Sequence, residues 1–151
     1  GCTALQMLEL SENQLTGNLE PLHSCTALQT LALSQNLLTG ELEPLRRCTT
    51  LQTLALAHNQ LSGGLDPLRS CTALTALNLD GNELTGGVEP LRDCTELWRL
   101  SLEDNYLVLT DEDEVHFEAV KLMVKLNYDA MYDATRETWR EVHRERERAR
   151  A

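Results

Sequence analysis

A chain of 151 residues is enough for one domain, and its formal net charge of −11 disfavours nucleic acid and anionic lipid as partners, since both need a dense positive surface. That balance favours basic proteins or basic peptides instead. Aromatic residues make up only 4%, so the core must be built from leucine, and no apolar run approaches the roughly 18 residues of a membrane span.

The chain opens Gly1-Cys2 with no secretory apolar region. A myristoylated glycine needs Ser or Thr four residues on, and Leu5 stands there. Cysteine then recurs as Cys2, Cys25, Cys48, Cys71 and Cys94, 23 residues apart each time, and its surroundings recur with it. Such a period marks one supersecondary unit stacked on copies of itself. An odd number of thiols, one per unit and all facing the same way, is not a disulfide framework, because parallel β-carbon vectors bridge poorly. Free buried thiols imply a reducing compartment. With no CxxC and no paired histidine spacing, no metal and no cofactor are expected. The first unit has no cap before it. Its N-terminal end is therefore expected to be covered by further repeats, a partner or a second copy.

Inside each unit sits LxxLxLxxNxL. The third copy is Leu51, Leu54, Leu56, Asn59 and Leu61, and the others run in step from Leu5 to Leu107. Over residues 2–107 this resembles the leucine-rich-repeat family, with high specificity. The resemblance implies an α/β solenoid of five 23-residue repeats with a parallel concave sheet. The residues alone point the same way. Leu31 and Leu33 alternate around Ala32, a period of two, as in a short strand with one face buried. Strands one repeat apart then run parallel, about 4.8 Å from each other. Each asparagine falls where the chain leaves the strand, placed to bond otherwise unpaired backbone groups. Gly17, Gly40, Gly63 and Gly86 give conformational freedom at one fixed place. Pro21, Pro44, Pro67 and Pro90 can each start a helical turn. An acid precedes each proline, and Arg46, Arg69 and Arg92 stand three residues after theirs, with His23 in the first copy. This spacing predicts ion pairs along the convex side, each worth well under about 1 kcal/mol.

After Leu107 the repeat stops. Thr110 followed by Asp111-Glu112-Asp113-Glu114 reads as the start of a helix and lacks the alternation of a calcium loop. Val115, Ala119, Leu122, Met123 and Leu126 have helical spacing, and that face is expected to cover the open end of the stack. Lys121 to Asp133 resembles the C-terminal cap of acidic leucine-rich nuclear phosphoproteins, the spliceosomal A-prime protein and the axonemal dynein leucine-rich light chain. Arg136, Arg140 and Arg144 then step by four beside Glu137, Glu141 and Glu145, as in a solvated helical tail or a docking helix using Trp139. The units are thus a solenoid over 1–109, a helical cap over 110–133 and a charged helical tail over 134–151.

No nucleophile elbow, phosphate loop or metal spacing is present, so the chain is not expected to be an enzyme. Specificity should come from strand positions that vary between repeats and face the concave side. These are small and bland in the middle. At the C-terminal end Trp98 and Arg99 stand with Asp80, Glu103 and Asp104, the composition of an interface hot spot. The alternative is that Trp98 packs under the cap helix. The expected function is an intracellular protein-interaction module or scaffold, cytoplasmic, with a protein partner carrying a basic segment and no nucleic acid or membrane. Rival readings are a structural subunit of a cytoskeletal or axonemal assembly, an acidic chaperone-like binder of basic proteins in the nucleus, or an enzyme-regulatory subunit.

Overall fold

A computed structural model describes the backbone of residues 1–119 and the side chains of residues 1–116. Each repeat opens with a three-residue strand: β1 (Met7–Glu9), β3 (Thr30–Ala32), β5 (Thr53–Ala55), β7 (Ala76–Asn78) and β9 (Arg99–Ser101). These form one parallel sheet in chain order, with each residue facing its equivalent in the next repeat, as Leu31 faces Leu54. The central leucine of β3, β5, β7 and β9 is buried and its two neighbours turn outward. That is the expected period of two.

A second parallel sheet was not legible in the sequence. It consists of β2 (Thr16–Gly17), β4 (Leu37–Gly40), β6 (Gln60–Gly63), β8 (Glu83–Gly87) and β10 (Tyr106–Val108). Its segments are short and end in glycine, which is depleted in strands. Here the pairing is offset by 21 positions, with Thr39 facing Gln60 and Tyr106 facing Thr85. Between the sheets the chain turns on a column of left-handed backbone: Glu12, Gln35, His58 and Asp104 have φ of 53–57°, and Gly81 has 62°. The first four repeats then cross to a short 3₁₀ turn carrying the proline, as at Glu43–Leu45, and the fifth leads into a helix. Gly86, at φ +85°, has open space around its α-carbon, so its glycine is required by backbone conformation and not by crowding.

The core between these walls is a leucine stack, and two polar or weakly polar ladders run through it. Asn59 is 8% exposed. Its side-chain oxygen accepts the Leu38 N–H at 3.0 Å, and its amide donates to the carbonyls of Leu33 and Leu56. Asn36, Asn82 and Asn105 repeat the pattern one rung apart, each accepting an N–H from the preceding repeat. The second ladder is cysteine. Cys48, Cys71 and Cys94 each donate the thiol proton to the carbonyl of the preceding cysteine at 3.4–3.5 Å. Cys2 departs from the expected buried column and is exposed, because no earlier rung covers it in this chain.

Burial pushes the Cys71 thiol up to about 12 and the Cys94 thiol to about 11, and raises Cys48 as well. A thiol whose folded pKa is raised stabilises the fold fully below its ordinary value of 9.0, and that stabilisation is lost as pH climbs from there through 11 and 12. Stability is therefore expected to fall between pH 9 and 12, and a Cys71→Ala chain should show less of this fall. At neutral pH a thiol reagent should modify Cys2 quickly and the other four only on unfolding. Fast labelling of all five in the folded protein would remove the ladder.

The convex ion pairs are only partly those the spacing predicts. Glu43 and Arg46 pair within one turn at 2.6 Å, and His23 lies 3.9 Å from Glu20. Arg69 holds Asp66 at 3.1 Å but reaches into the next repeat to grip Glu89 with two bonds, at 2.8 and 2.6 Å. Arg92 is thereby left without its own acid and turns instead to the helix that follows the repeats, α1 (Asp111–Ala119), where it meets Asp113 and Glu112. The exposed pairs each contribute little to stability, whereas Asp113 is buried.

Candidate functional site

The two outward columns of the first sheet are Met7, Thr30, Thr53, Ala76 and Arg99, and Glu9, Ala32, Ala55, Asn78 and Ser101. Through the middle repeats they offer methyl groups and short hydroxyls, with little area for a partner to cover. The last rung differs. Buried Leu100 anchors β9, and the N–H groups of Trp98 and Arg99 both donate to the Thr75 carbonyl, at 3.0 and 3.4 Å. With its backbone held there, Trp98 stands 68% exposed. The side chains of α1 described here do not cover it. Arg99 is exposed beside it and forms no ion pair among the described residues.

Asp80 has a different role from its acidic neighbours. One carboxylate oxygen accepts the Glu103 N–H and the other accepts the Ser101 hydroxyl, both at 2.7 Å. Earlier rungs do the same with serine: Ser11 accepts the Ser34 N–H and Ser34 accepts the Ala57 N–H, both at 3.1 Å. Ala57 interrupts this ladder, and the Asp80 N–H turns to the Asn78 side chain. The column thus holds hydrogen-bond acceptors for backbone. Sequence reasoning read its variation as specificity, and the shared acceptor chemistry of Ser11, Ser34 and Asp80 was the signal it missed.

The acidity facing solvent at this end belongs to Glu103, half-buried, and Asp104, exposed on the left-handed turn. Neither carboxylate is paired among the described residues. Trp98 and Arg99 therefore flank the start of β9, with Glu103 and Asp104 beyond its far end. Trp139 lies outside the described residues.

Behind this end, Thr110 caps α1. The Thr110 hydroxyl accepts the Asp113 N–H, and one Asp113 oxygen accepts both the N–H and the hydroxyl of Thr110. This reciprocal arrangement is a capping box. The other Asp113 oxygen accepts two bonds from Arg92, at 3.0 and 2.7 Å. Burial raises the Asp113 pKa, but the Thr110 bonds and the Arg92 guanidinium together outweigh it and hold the carboxyl below its ordinary 3.8. A depressed acid stabilises above its ordinary pKa and loses that effect as pH falls through the folded value. Helix α1 is therefore expected to loosen below about pH 4, by the ~1 kcal/mol typical of a cap. Circular dichroism across this range should show the transition, and Asp113→Asn should flatten it. The sequence placed this helix start correctly. It also placed Val115 on a face covering the stack, whereas Val115 is 59% exposed. The rest of that face, from Ala119 to Leu126, lies outside the described side chains.

Among the described residues no group of three or more histidines, cysteines or carboxylates is arranged to hold a metal ion, and no helix is long and apolar enough to cross a membrane. A family model of leucine-rich repeats in two copies matches residues 3–47 and 49–97. This chain belongs to the leucine-rich-repeat family. No curated protein matches its sequence significantly. Among solved structures, this leucine-rich-repeat chain resembles the ectodomain of the receptor kinase SOBIR1 from Arabidopsis thaliana, with a TM-score of 0.70 and 26% identity over 80% of this chain and 68% of that one. An internalin C2 from Listeria monocytogenes gives 0.69 and 29%, over 83% of this chain and 53% of the internalin. The Arabidopsis receptor kinase HAESA, solved with the peptide hormone IDA and the co-receptor SERK1, gives 0.66 and 27%, over 70% of this chain and 18% of that one. The chain thus spans from about a fifth to about two thirds of these relatives. The fold they share serves typically as a protein-binding module.

Proposed function

We propose that this leucine-rich-repeat protein is an intracellular, non-enzymatic interaction module or scaffold that binds a protein partner through its concave face and C-terminal end. The observation that carries the reading is Trp98, 68% exposed just before β9, where the earlier rungs carry Gln6, Gln29, Gln52 and Thr75 and offer no large apolar group. An indole in water beside a guanidinium is a typical anchor for a partner. Glu103 and Asp104, unpaired among the described residues, favour a partner with a basic segment. That HAESA was solved with a peptide hormone supports the use of such a surface for binding. Four buried free thiols fit a reducing cytoplasm, with nuclear or ciliary sites as alternatives.

The resemblance of residues 121–133 to the caps of acidic nuclear phosphoproteins, the spliceosomal A-prime protein and the dynein light chain lies outside the described residues. It keeps three narrower readings open: a chaperone-like binder of basic proteins, a structural subunit of an axonemal or cytoskeletal assembly, and an enzyme-regulatory subunit. A binding screen against histones, tubulin and phosphatase subunits separates them. Saturable binding to one of these that weakens in Trp98→Ala supports the module and names its class. Binding indifferent to Trp98 would remove the site.

A further inference from the structure

Ahead of each strand of the first sheet one residue stands in a fixed column: Gln6, Gln29, Gln52, Thr75 and Trp98. Their backbones are locked in step. Gln29 donates its N–H to the Gln6 carbonyl, Gln52 to that of Gln29, Thr75 to that of Gln52 and Trp98 to that of Thr75, at 2.7–3.0 Å. Gln6, Gln29 and Gln52 are exposed, and their side-chain amides make no hydrogen bond among the described residues. The Thr75 hydroxyl already donates to the Gln52 carbonyl. Beside the column Thr30, Thr53 and Ala76 are small, while Met7 on the first rung is 59% exposed. A line of unused amides thus runs from one exposed apolar group, Met7, to another, Trp98.

Spacing limits what fits this line. Rungs of a parallel sheet repeat at about 4.8 Å, so alternate rungs lie about 9.6 Å apart. A polyproline II helix turns once in three residues, or about 9.3 Å. Two of its turns, about 18.6 Å, match the roughly 19.2 Å from the first rung to the fifth. An extended strand repeats each face at about 6.6 Å and is out of step by the third rung. An α-helix repeats at about 5.4 Å and drifts by about 2.4 Å over the same four steps. Polyproline II also has no internal hydrogen bonds, which leaves its carbonyls open to the glutamine amides. It is stiff before binding, and a surface this poor in contact area suits a ligand that loses little freedom on docking.

We infer that the partner's contact segment is a proline-rich stretch in the polyproline II conformation, lying across the rungs with Gln6, Gln52 and Trp98 at its three facing positions. A proline ring packs on the Trp98 indole, another meets Met7, and Gln6 and Gln52 donate to carbonyls. Beyond Trp98 the segment turns along β9 toward Glu103 and Asp104, about 16 Å away at the rise of a strand. The basic residue that these acids attract therefore stands about five positions past the last proline. Arg99, exposed next to the indole, disfavours a cation any closer. This inference rests on the partner site proposed above and names the kind of segment that fills it.

The test uses the full chain and a fluorescein-labelled peptide of seven prolines, four glycines and one arginine, in that order, with binding read by anisotropy. Trp98→Ala is expected to raise Kd about tenfold or more. Gln52→Ala should raise it severalfold, whereas Gln29→Ala, on the skipped rung, should leave it unchanged. A peptide of the same composition with the glycines dispersed among the prolines loses the stiff helix and should bind severalfold more weakly. Equal losses from Gln29→Ala and Gln52→Ala, equal binding of the two peptides, or no binding of either overturns the inference. If it fails while the screened partner still depends on Trp98, the site stands and only this ligand falls. If the screened partner is also indifferent to Trp98, the site falls with it.

Discussion

Asn59→Ala is expected to destabilise the solenoid by about 2 kcal/mol, with a matching fall in the urea midpoint at unchanged slope. The Asn59 side chain satisfies one N–H and two carbonyls, on Leu38, Leu33 and Leu56, all of them buried residues. Alanine orphans the buried Leu38 N–H, which costs on the order of 1–3 kcal/mol, while the two carbonyls each keep one amide donor, Leu33 from Asn36 and Leu56 from Asn82. Asn13→Ala is the control. Asn13 is exposed, bonds only the carbonyls of Leu10 and Ser11, and accepts nothing from an earlier repeat. Its loss should cost under about 1 kcal/mol, since water can replace both bonds. Equal effects at the two positions would show that burial does not set the value of the ladder.

Trp98→Ala is expected to weaken binding of the partner found by the screen by about 2 kcal/mol or more, roughly a 30-fold rise in Kd. The indole is a large apolar group exposed at the entrance to the last strand, whereas the outward strand positions of the middle rungs offer alanine, threonine and one asparagine. Glu103→Lys should mainly slow association and alter its salt dependence. That change leaves the framework intact, because Asp80 holds the Glu103 backbone N–H and not its side chain. Ala55→Ser, on the same sheet in the bland middle, should do little. If Trp98→Ala leaves affinity intact and lowers the Tm, the indole belongs to the cap interface, and Trp139 becomes the next candidate.

The first sheet, the asparagine ladder and the start of α1 were legible because each is a local pattern repeated at a fixed interval. Leu31 and Leu33 reveal a strand, and Thr110 before four acids reveals a helix start. The second sheet was not legible, since Leu-Thr-Gly reads as a turn and its pairing depends on a neighbouring repeat. Arg92 misled for a similar reason. Its spacing from Glu89 promised a local pair, but Arg69 from the repeat before takes that acid. At the candidate site, the adjacency of Trp98 and Arg99 was plain, while the engagement of Asp80 with Ser101 and Glu103 required the stacked rungs to be seen together.

The asparagine bonds reach back no further than 26 positions, and the cysteine bonds join neighbouring rungs. A duplicated 23-residue unit inserted between two repeats would meet the same contacts above and below that its original meets. The molecule is in this sense extensible, like a spiral stair to which a step can be added without rebuilding the flight. Its length is free to change by whole units, while a deletion of one or two residues would throw every later side chain out of phase. For such a chain, duplication is a conservative change and a small frame-preserving indel a drastic one.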